Sequence, residues 1–324
     1  MDVASSPEQL RAQLELLPEP GAPGTARPGV CVTIGNFDGM HLGHRALLAK
    51  ARQRANAAGR PLVTVTFEPH PLEILAPGLA PPRLTDTPAR LELLRDCGVD
   101  AVLLLAFTQA TAAMRPEDFV REVLLDGLDM RDLLIGYDFS LGRDRTGTGA
   151  VLRGLGDKFA FACERFGPVL ADGEPVSSTR IRQLIRAGDM PGAAALLGRP
   201  HGVRGPVVQG RRLGRELGFP TANLAPPSVH LPPPGVYATR ARLGVARFPA
   251  VTSVGNNPTF AGEQTAIETH LLDFSRDLYG QELRIDFVER LRGQIKFAGP
   301  RELAGRIESD ILAARAVLAA SLGG

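Results

Sequence analysis

The sequence predicts an α/β N-terminal domain with a Rossmann-like parallel sheet, then a C-terminal antiparallel β-barrel with a terminal helix. Three observations predict this. From residue 30 to about 187, continuous apolar runs alternate with helical patterns, as strands buried on both faces alternate with crossover helices. Beyond about residue 200, short strand-like runs are separated by Pro- and Gly-rich turns, the pattern of a small barrel. The chain has 324 residues, enough for two cores.

The first strand is 30–35, an apolar run ending in Gly35. A helical pattern over 41–58 follows and stops at Gly59. The next strands are 62–67, 101–107 and 133–136. Helices are expected at 88–97, capped by Asp86 or Thr87 and stopped by Gly98, and at 116–125, with Pro116 at the first position. In the second half the expected strands are 205–209, 235–243, 248–254, 266–274 and 283–288, and 300–318 is an amphipathic helix that packs on the barrel. The expected domains are 1–187 and 201–324, joined by a linker at 188–200.

Composition narrows the function classes. Basic residues number 37 and acidic ones 35, a net charge of +2, which gives nucleic acid no reason to bind. Cys31, Cys97 and Cys163 are odd in number and widely spaced, so they form no disulfide framework and read as small core residues. The N-terminus lacks the basic and apolar regions of a signal peptide, and no apolar run is long enough to span a membrane. A cytoplasmic enzyme without membrane or nucleic-acid partners is expected.

The segment Gly35-Asn-Phe-Asp-Gly-Met-His-Leu-Gly-His44 is the most informative. It joins a buried strand to a helix, at the carboxyl end of a strand where α/β ligands sit. His41 and His44 are three apart in a first helical turn and share a face. That turn offers free N–H groups and a positive dipole end, and its glycines let a polyphosphate approach. An imidazolium there can meet charge developing in phosphoryl transfer. On the four residues HLGH alone, a metal site lacking a third ligand and ordinary surface histidines remain open.

Other segments fall where strands end. Glu68-Pro-His-Pro71 stiffens a loop around His70; a rigid turn with an incidental histidine reads equally well. Gly136-Tyr-Asp-Phe-Ser-Leu-Gly142 leads into an arginine-bearing loop, 142–149, that either closes over a ligand or is a solvated hairpin. Val176-Ser-Ser-Thr-Arg-Ile-Arg182 opens a helix capped by Ser177 or Ser178; Arg180 and Arg182, two apart, cannot face one ligand. In the second half, Leu217-Gly-Phe-Pro-Thr-Ala-Asn-Leu224 places Thr221 and Asn223 on one face of an extended stretch. Their oxygens suit Mg²⁺ together with phosphates, though the four residues PTAN alone read equally as a plain turn.

Together these segments resemble the HxGH and ISSTxxR signatures of the nucleotidyltransferase superfamily and the PHP and GxDFxFG segments of its flavin-specific branch. The second half resembles riboflavin kinase, through GFPTANL and, in order, Gly235-Val-Tyr237, 253–260, 267–274 and Asp277-Leu-Tyr-Gly280. The chain thus resembles the bacterial bifunctional riboflavin kinase/FAD synthetase family over nearly its whole length.

The resemblance implies ATP-dependent phosphorylation of riboflavin to FMN, then adenylylation of FMN to FAD with release of pyrophosphate. ATP is co-substrate and Mg²⁺ the cofactor. Glu268, His41, His44 and Arg182 are the implied catalytic residues. Gly35, Asn36, Phe37, Asp38, Gly39, Gly43, Ser177, Ser178, Thr179, Gly210, Arg215, Pro220 and Asn223 are implied to bind nucleotide. His70, Pro71, Asp138, Phe139, Asn257 and Arg292 are implied to bind flavin, and Thr221 and Asn223 the metal. Without the resemblance, Glu268 reads as a solvent-facing strand residue. Three departures are visible. Met40 stands for a more usual valine. Leu141 replaces an aromatic in GxDFxFG, which bears on flavin stacking. Residues 210–215 are longer than the usual Arg-Gly pair of the ATP loop. Two rivals follow: a chain in which only the kinase acts, and a non-catalytic flavin binder.

Overall fold

The first half folds around a six-stranded sheet. A computed structural model describes residues 1–15, 29–210, 214, 217–225, 227–259 and 262–321, without the side chains of 256–259 and 262–264. The chain divides into two compact units, Met1–Val176 and Ser177–Gly324.

In the first unit the order is β1 (Asp2–Ala4), α1 (Pro7–Glu15), β2 (Val30–Ile34), α2 (Leu42–Ala57), β3 (Leu62–Glu68), α3 (Pro71–Leu75), α4 (Thr87–Asp96), β4 (Ala101–Ala106), α5 (Gln109–Ala113), α6 (Pro116–Asp118), a π-helix (Phe119–Asp126), β5 (Met130–Ile135), α7 (Gly149–Phe159) and β6 (Ala162–Arg165). A ribbon of β7 (Leu170–Ala171) and β8 (Glu174–Pro175) follows. The sheet order is β1-β4-β3-β2-β5-β6, and its pairings are parallel. From β2 the chain winds one way through β3 and β4, and returns to add β5 and β6 on the other side. The switch point lies between β2 and β5, where ligands of open α/β sheets bind. The segment Gly35–His44 begins there.

The four expected strands are present. Two further strands, β1 and β6, lie at the sheet edges. β1 is three residues long, and β6 exposes both Ala162 and Arg165, so neither carries the continuous apolar run that marks a buried strand. One face of the sheet packs Leu10, Phe119, Leu124 and Leu152 against Val32, Val63 and Leu133. The other packs Leu47, Leu48, Ala51 and Leu94 against Cys31, Leu62 and Leu134. Asp86 is the cap of α4, accepting from Ala89 N at 2.7 Å.

The second unit begins with α8 (Ser178–Ala187) and α9 (Met190–Leu197). β9 (His201–Val208), β10 (Ala222–Leu224), β11 (Gly235–Leu243), β12 (Ala246–Thr259), β13 (Gly262–Leu271) and β14 (Glu282–Gly293) form a closed barrel, and α10 (Pro300–Ala320) ends the chain. The barrel pairings are antiparallel. By packing, α8 and α9 group with the barrel.

Side chains alternate across each strand. Thr239, Thr252 and Thr269 are buried and joined by hydrogen bonds of 2.8 and 3.0 Å. Val236, Ala238 and Val251, on the opposite face, meet Ala314 and Leu318 of α10, as the amphipathic pattern predicted. Glu268 and His270 alternate with buried Ile267, Thr269 and Leu271, so they face outward.

His201, only 2% exposed, donates from Nε2 to the His230 carbonyl at 2.7 Å. Burial pushes its pKa down from 6.5 to about 4. The unfolded chain takes up this proton near 6.5 and the folded barrel only near 4, so stability falls as pH drops through that window, by up to about 3 kcal/mol. Denaturant unfolding of the parent should show this loss between pH 7 and 4, and the His201→Gln variant should show a flatter profile. Equal slopes for the two would contradict it.

Candidate active sites

The loop after β2 is shaped by three residues with positive φ: Phe37 at 50°, Gly39 at 81° and Met40 at 43°. Phe37 and Met40 are fully buried, and burial of their side chains holds a backbone that L-residues rarely adopt. The Phe37 ring is therefore core, and its backbone is what a nucleotide could meet. His41 caps α2, its Nδ1 accepting from His44 N at 3.3 Å. In the neutral ring the proton then sits on Nε2. The His41 and His44 rings stack with centroids 3.7 Å apart and planes at 19°. Phe37 supports His44 edge-on at 5.2 Å. A Cβ on Gly43 would come within 3.1 Å of the His41 ring, so glycine is what lets the pair stack.

Burial, and then the neighbouring His41, hold the His44 pKa well below the ordinary 6.5. Its Nδ1 is buried without a hydrogen-bond partner among the described residues. By itself the protein thus keeps His44 neutral, and the positive charge expected of this pair needs an anion to summon it. Among the described residues no group of three His, Cys, Asp or Glu side chains is placed to hold a metal.

Two neighbouring loops fasten the segment ahead of this pair. His70 caps α3, accepting from Leu72 N at 3.2 Å, and Pro71 opens the helix. Its Nε2 lies 3.4 Å from the Asn36 amide. Asp38 is 5% exposed and accepts from Leu84 N at 2.9 Å and Thr85 N at 3.1 Å. Its carboxylate therefore shapes the loop. Asp138 is exposed, and Phe139 leans on the sheet core. Leu141 belongs to that core at 7% exposure, and its backbone pairs with Gly147 at 3.1 and 2.9 Å. The departure at Leu141 is thus spent on packing.

Ser177 caps α8, accepting from Arg180 N at 3.2 Å. Ser178 and Thr179 lie in its first turn, and Thr179 is exposed. Arg182 is 8% exposed, and its carbonyl accepts from His230 Nε2 at 3.3 Å. These residues pack with the barrel.

On the barrel, Asn223 of β10 stands opposite Glu268 of β13, and Glu268 opposite Ser253 of β12. Directly opposed side chains on one face lie about 5 Å apart at Cβ. A Cβ on Gly210 would fall 2.3 Å from the Asn223 amide, and one on Gly214 would lie 3.4 Å from Thr221 Oγ1. Gly210, Thr221, Asn223 and Glu268 thus converge. The exposed Pro220 offers its carbonyl to His270 Nδ1 at 2.7 Å, which fixes the residue ahead of Thr221. Arg292 grips Asp310 of α10 at 3.0 and 2.7 Å, and its Nη1 donates to the Gly293 carbonyl at 3.0 Å. This guanidinium fastens the terminal helix, so any flavin contact must coexist with that pairing. Arg215 and the Asn257 side chain lie outside the described residues.

Two contributors escaped the sequence reading. His270 was visible only as a strand neighbour of Glu268. Arg90 sits in an ordinary helical pattern, and its spacing of four from buried Leu94 was the signal that it faces inward.

An FAD synthetase family profile matches residues 25–180, and a riboflavin kinase profile matches 197–318. A bifunctional riboflavin kinase/FMN adenylyltransferase from Pseudomonas fluorescens is 41% identical, over 90% of this chain and 94% of its own. The chain belongs to the bifunctional riboflavin kinase/FMN adenylyltransferase family. Another member, from Escherichia coli (strain K12), is 38% identical over 89% of this chain and 92% of its own. A crystal structure described as a macrolide-efflux protein from Streptococcus pneumoniae superposes with a TM-score of 0.83 at 28% identity, covering 97% of this chain and 99% of that one. No helix among the described residues is long and apolar enough to cross a membrane.

Proposed function

We propose that this chain makes FAD in two ATP-dependent steps, on separate sites, in the cytoplasm. The observation that carries the division is that two unlike sets of chemistry occupy the two units. The barrel offers a carboxylate beside an amide and a hydroxyl. The sheet unit offers stacked histidines at a helix N-terminus.

Riboflavin presents a neutral alcohol, so its phosphorylation benefits from a base. Glu268 accepts the hydroxyl proton as the oxygen attacks the γ-phosphorus and ADP leaves. The Thr221 hydroxyl and Asn223 amide form an oxygen donor set that fits Mg²⁺, which when bound neutralises phosphate charge. FMN brings its own nucleophile, a phosphate that is mostly dianionic near neutral pH. Its oxygen attacks the α-phosphorus of ATP and pyrophosphate leaves. That step needs placement and positive charge. His41 and His44 supply these in the assignment of residues 1–187 to adenylylation.

Purified protein given riboflavin, ATP and Mg²⁺ should form FMN first and FAD later, read by chromatography. FMN alone would leave only a kinase, and bound flavin without turnover would indicate a binding protein. A finer expectation concerns Gly210. An alanine there collides with Asn223, and should lower FMN formation by about 100-fold through displacement of a positioning group, with FAD formation from supplied FMN intact. Unchanged FMN formation would remove Asn223 from the site.

A further inference from the structure

A buried cation lies at the carboxyl ends of β2 and β3, outside every motif. Arg90 of α4 is 5% exposed. Its Nη1 donates to the Asn36 carbonyl at 3.1 Å, and its Nη2 to the Phe67 carbonyl at 3.1 Å and the Glu68 carboxylate at 3.0 Å. Asn36 follows β2, and Phe67 and Glu68 end β3. One side chain therefore joins the carboxyl ends of two adjacent strands, next to the switch point. The preceding residues fasten the same loop again. Leu84 N and Thr85 N hold Asp38, and Gly39 N donates to Thr85 Oγ1 at 3.2 Å. Residues 84–90 thus strap Asn36, Asp38 and Gly39 immediately ahead of His41. Glu68 is in turn held by Arg83 at 2.7 Å and by Thr87.

We propose that Arg90 is a positioning residue for FMN adenylylation, clamping the ends of β2 and β3 so that the loop before His41 and His44 keeps its shape. Burying a guanidinium is costly unless its donors are satisfied. Here Nη1 and Nη2 are spent on two main-chain carbonyls and a carboxylate at the strand ends, a task for a planar fork of donors, while Nε is buried without a partner among the described residues. The proposal rests on the adenylylation reading above.

The test uses full-length Arg90→Met, Arg90→Lys and Thr85→Val, with FMN, ATP and Mg²⁺ as substrates. Rates are taken per folded molecule, from near-UV circular dichroism. Riboflavin phosphorylation by the barrel serves as the internal reference. Arg90→Met should cut the adenylylation kcat by about 100-fold, the cost of a displaced catalytic group, with a smaller change in the KM for FMN. Arg90→Lys should recover part of that rate. Thr85→Val should lose about 10-fold, one hydrogen bond's worth. Phosphorylation should stay at the parent rate in all three.

Parent-like adenylylation per folded Arg90→Met molecule would overturn the clamp. If that variant does not fold, parent rates in both Arg90→Lys and Thr85→Val would overturn it. A parent protein that makes no FAD from FMN fails the underlying reading, and the clamp falls with it.

Discussion

Glu268→Gln should reduce riboflavin phosphorylation by about 10²- to 10⁴-fold, the range of a lost general base, while FAD formation from supplied FMN continues. The substitution keeps the size and hydrogen-bonding capacity of the side chain and removes its ability to take a proton. Glu268 is partly exposed on the outer barrel face, so the fold should be little affected. Its place opposite Asn223 and Ser253 brings the base to the same patch as Thr221. Initial rates of FMN formation at saturating riboflavin are the measurement. A Glu268→Gln protein with the parent rate would show that the hydroxyl proton goes elsewhere.

His44→Ala should have the converse effect, lowering FMN adenylylation by about 10²- to 10³-fold, as for one lost transition-state donor, and sparing phosphorylation. A second consequence follows from the resting protonation. Burial and His41 keep His44 neutral in the free protein. A bound polyphosphate raises its proton affinity, so ATP binding at this site should strengthen as pH falls and should take up a proton. Calorimetry of ATP binding in buffers of different ionisation enthalpy reads that uptake. The parent should show it, and His44→Ala should show less. Equal proton uptake by the two proteins would place the titrating group elsewhere.

Much of this arrangement was legible in the chain. Strands such as Val30–Ile34 carry apolar side chains toward both sheet faces and announce themselves. The edge strands Asp2–Ala4 and Ala162–Arg165 do not, since an edge strand is only partly covered and mixes exposed with buried positions. That His41 and His44 share a face followed from a spacing of three; that their rings stack did not. That His44 is held neutral did not follow, because it depends on burial against Phe37. Spacing put Glu268 and His270 on one strand face, and pairing with β10 was needed to set Asn223 beside Glu268. Arg292 and Asp38 show the limit of motif reading. Each was assigned to a ligand, and each has a protein partner visible only in three dimensions: Asp310 for the first, the amides of Leu84 and Thr85 for the second. Leu141 was a departure from pattern whose meaning is packing. Arg90 gave no motif signal at all, since its acceptors are main-chain carbonyls.

The central claim is that one chain holds two separate sites, one for each step. The direct test mixes Glu268→Gln with His44→Ala in riboflavin, ATP and Mg²⁺. Neither variant alone should make appreciable FAD, and the mixture should make it, since FMN released by one protein is the substrate of the other. A mixture of two folded variants that forms FMN but no FAD, or a single variant that forms FAD at the parent rate, would contradict the division of labour.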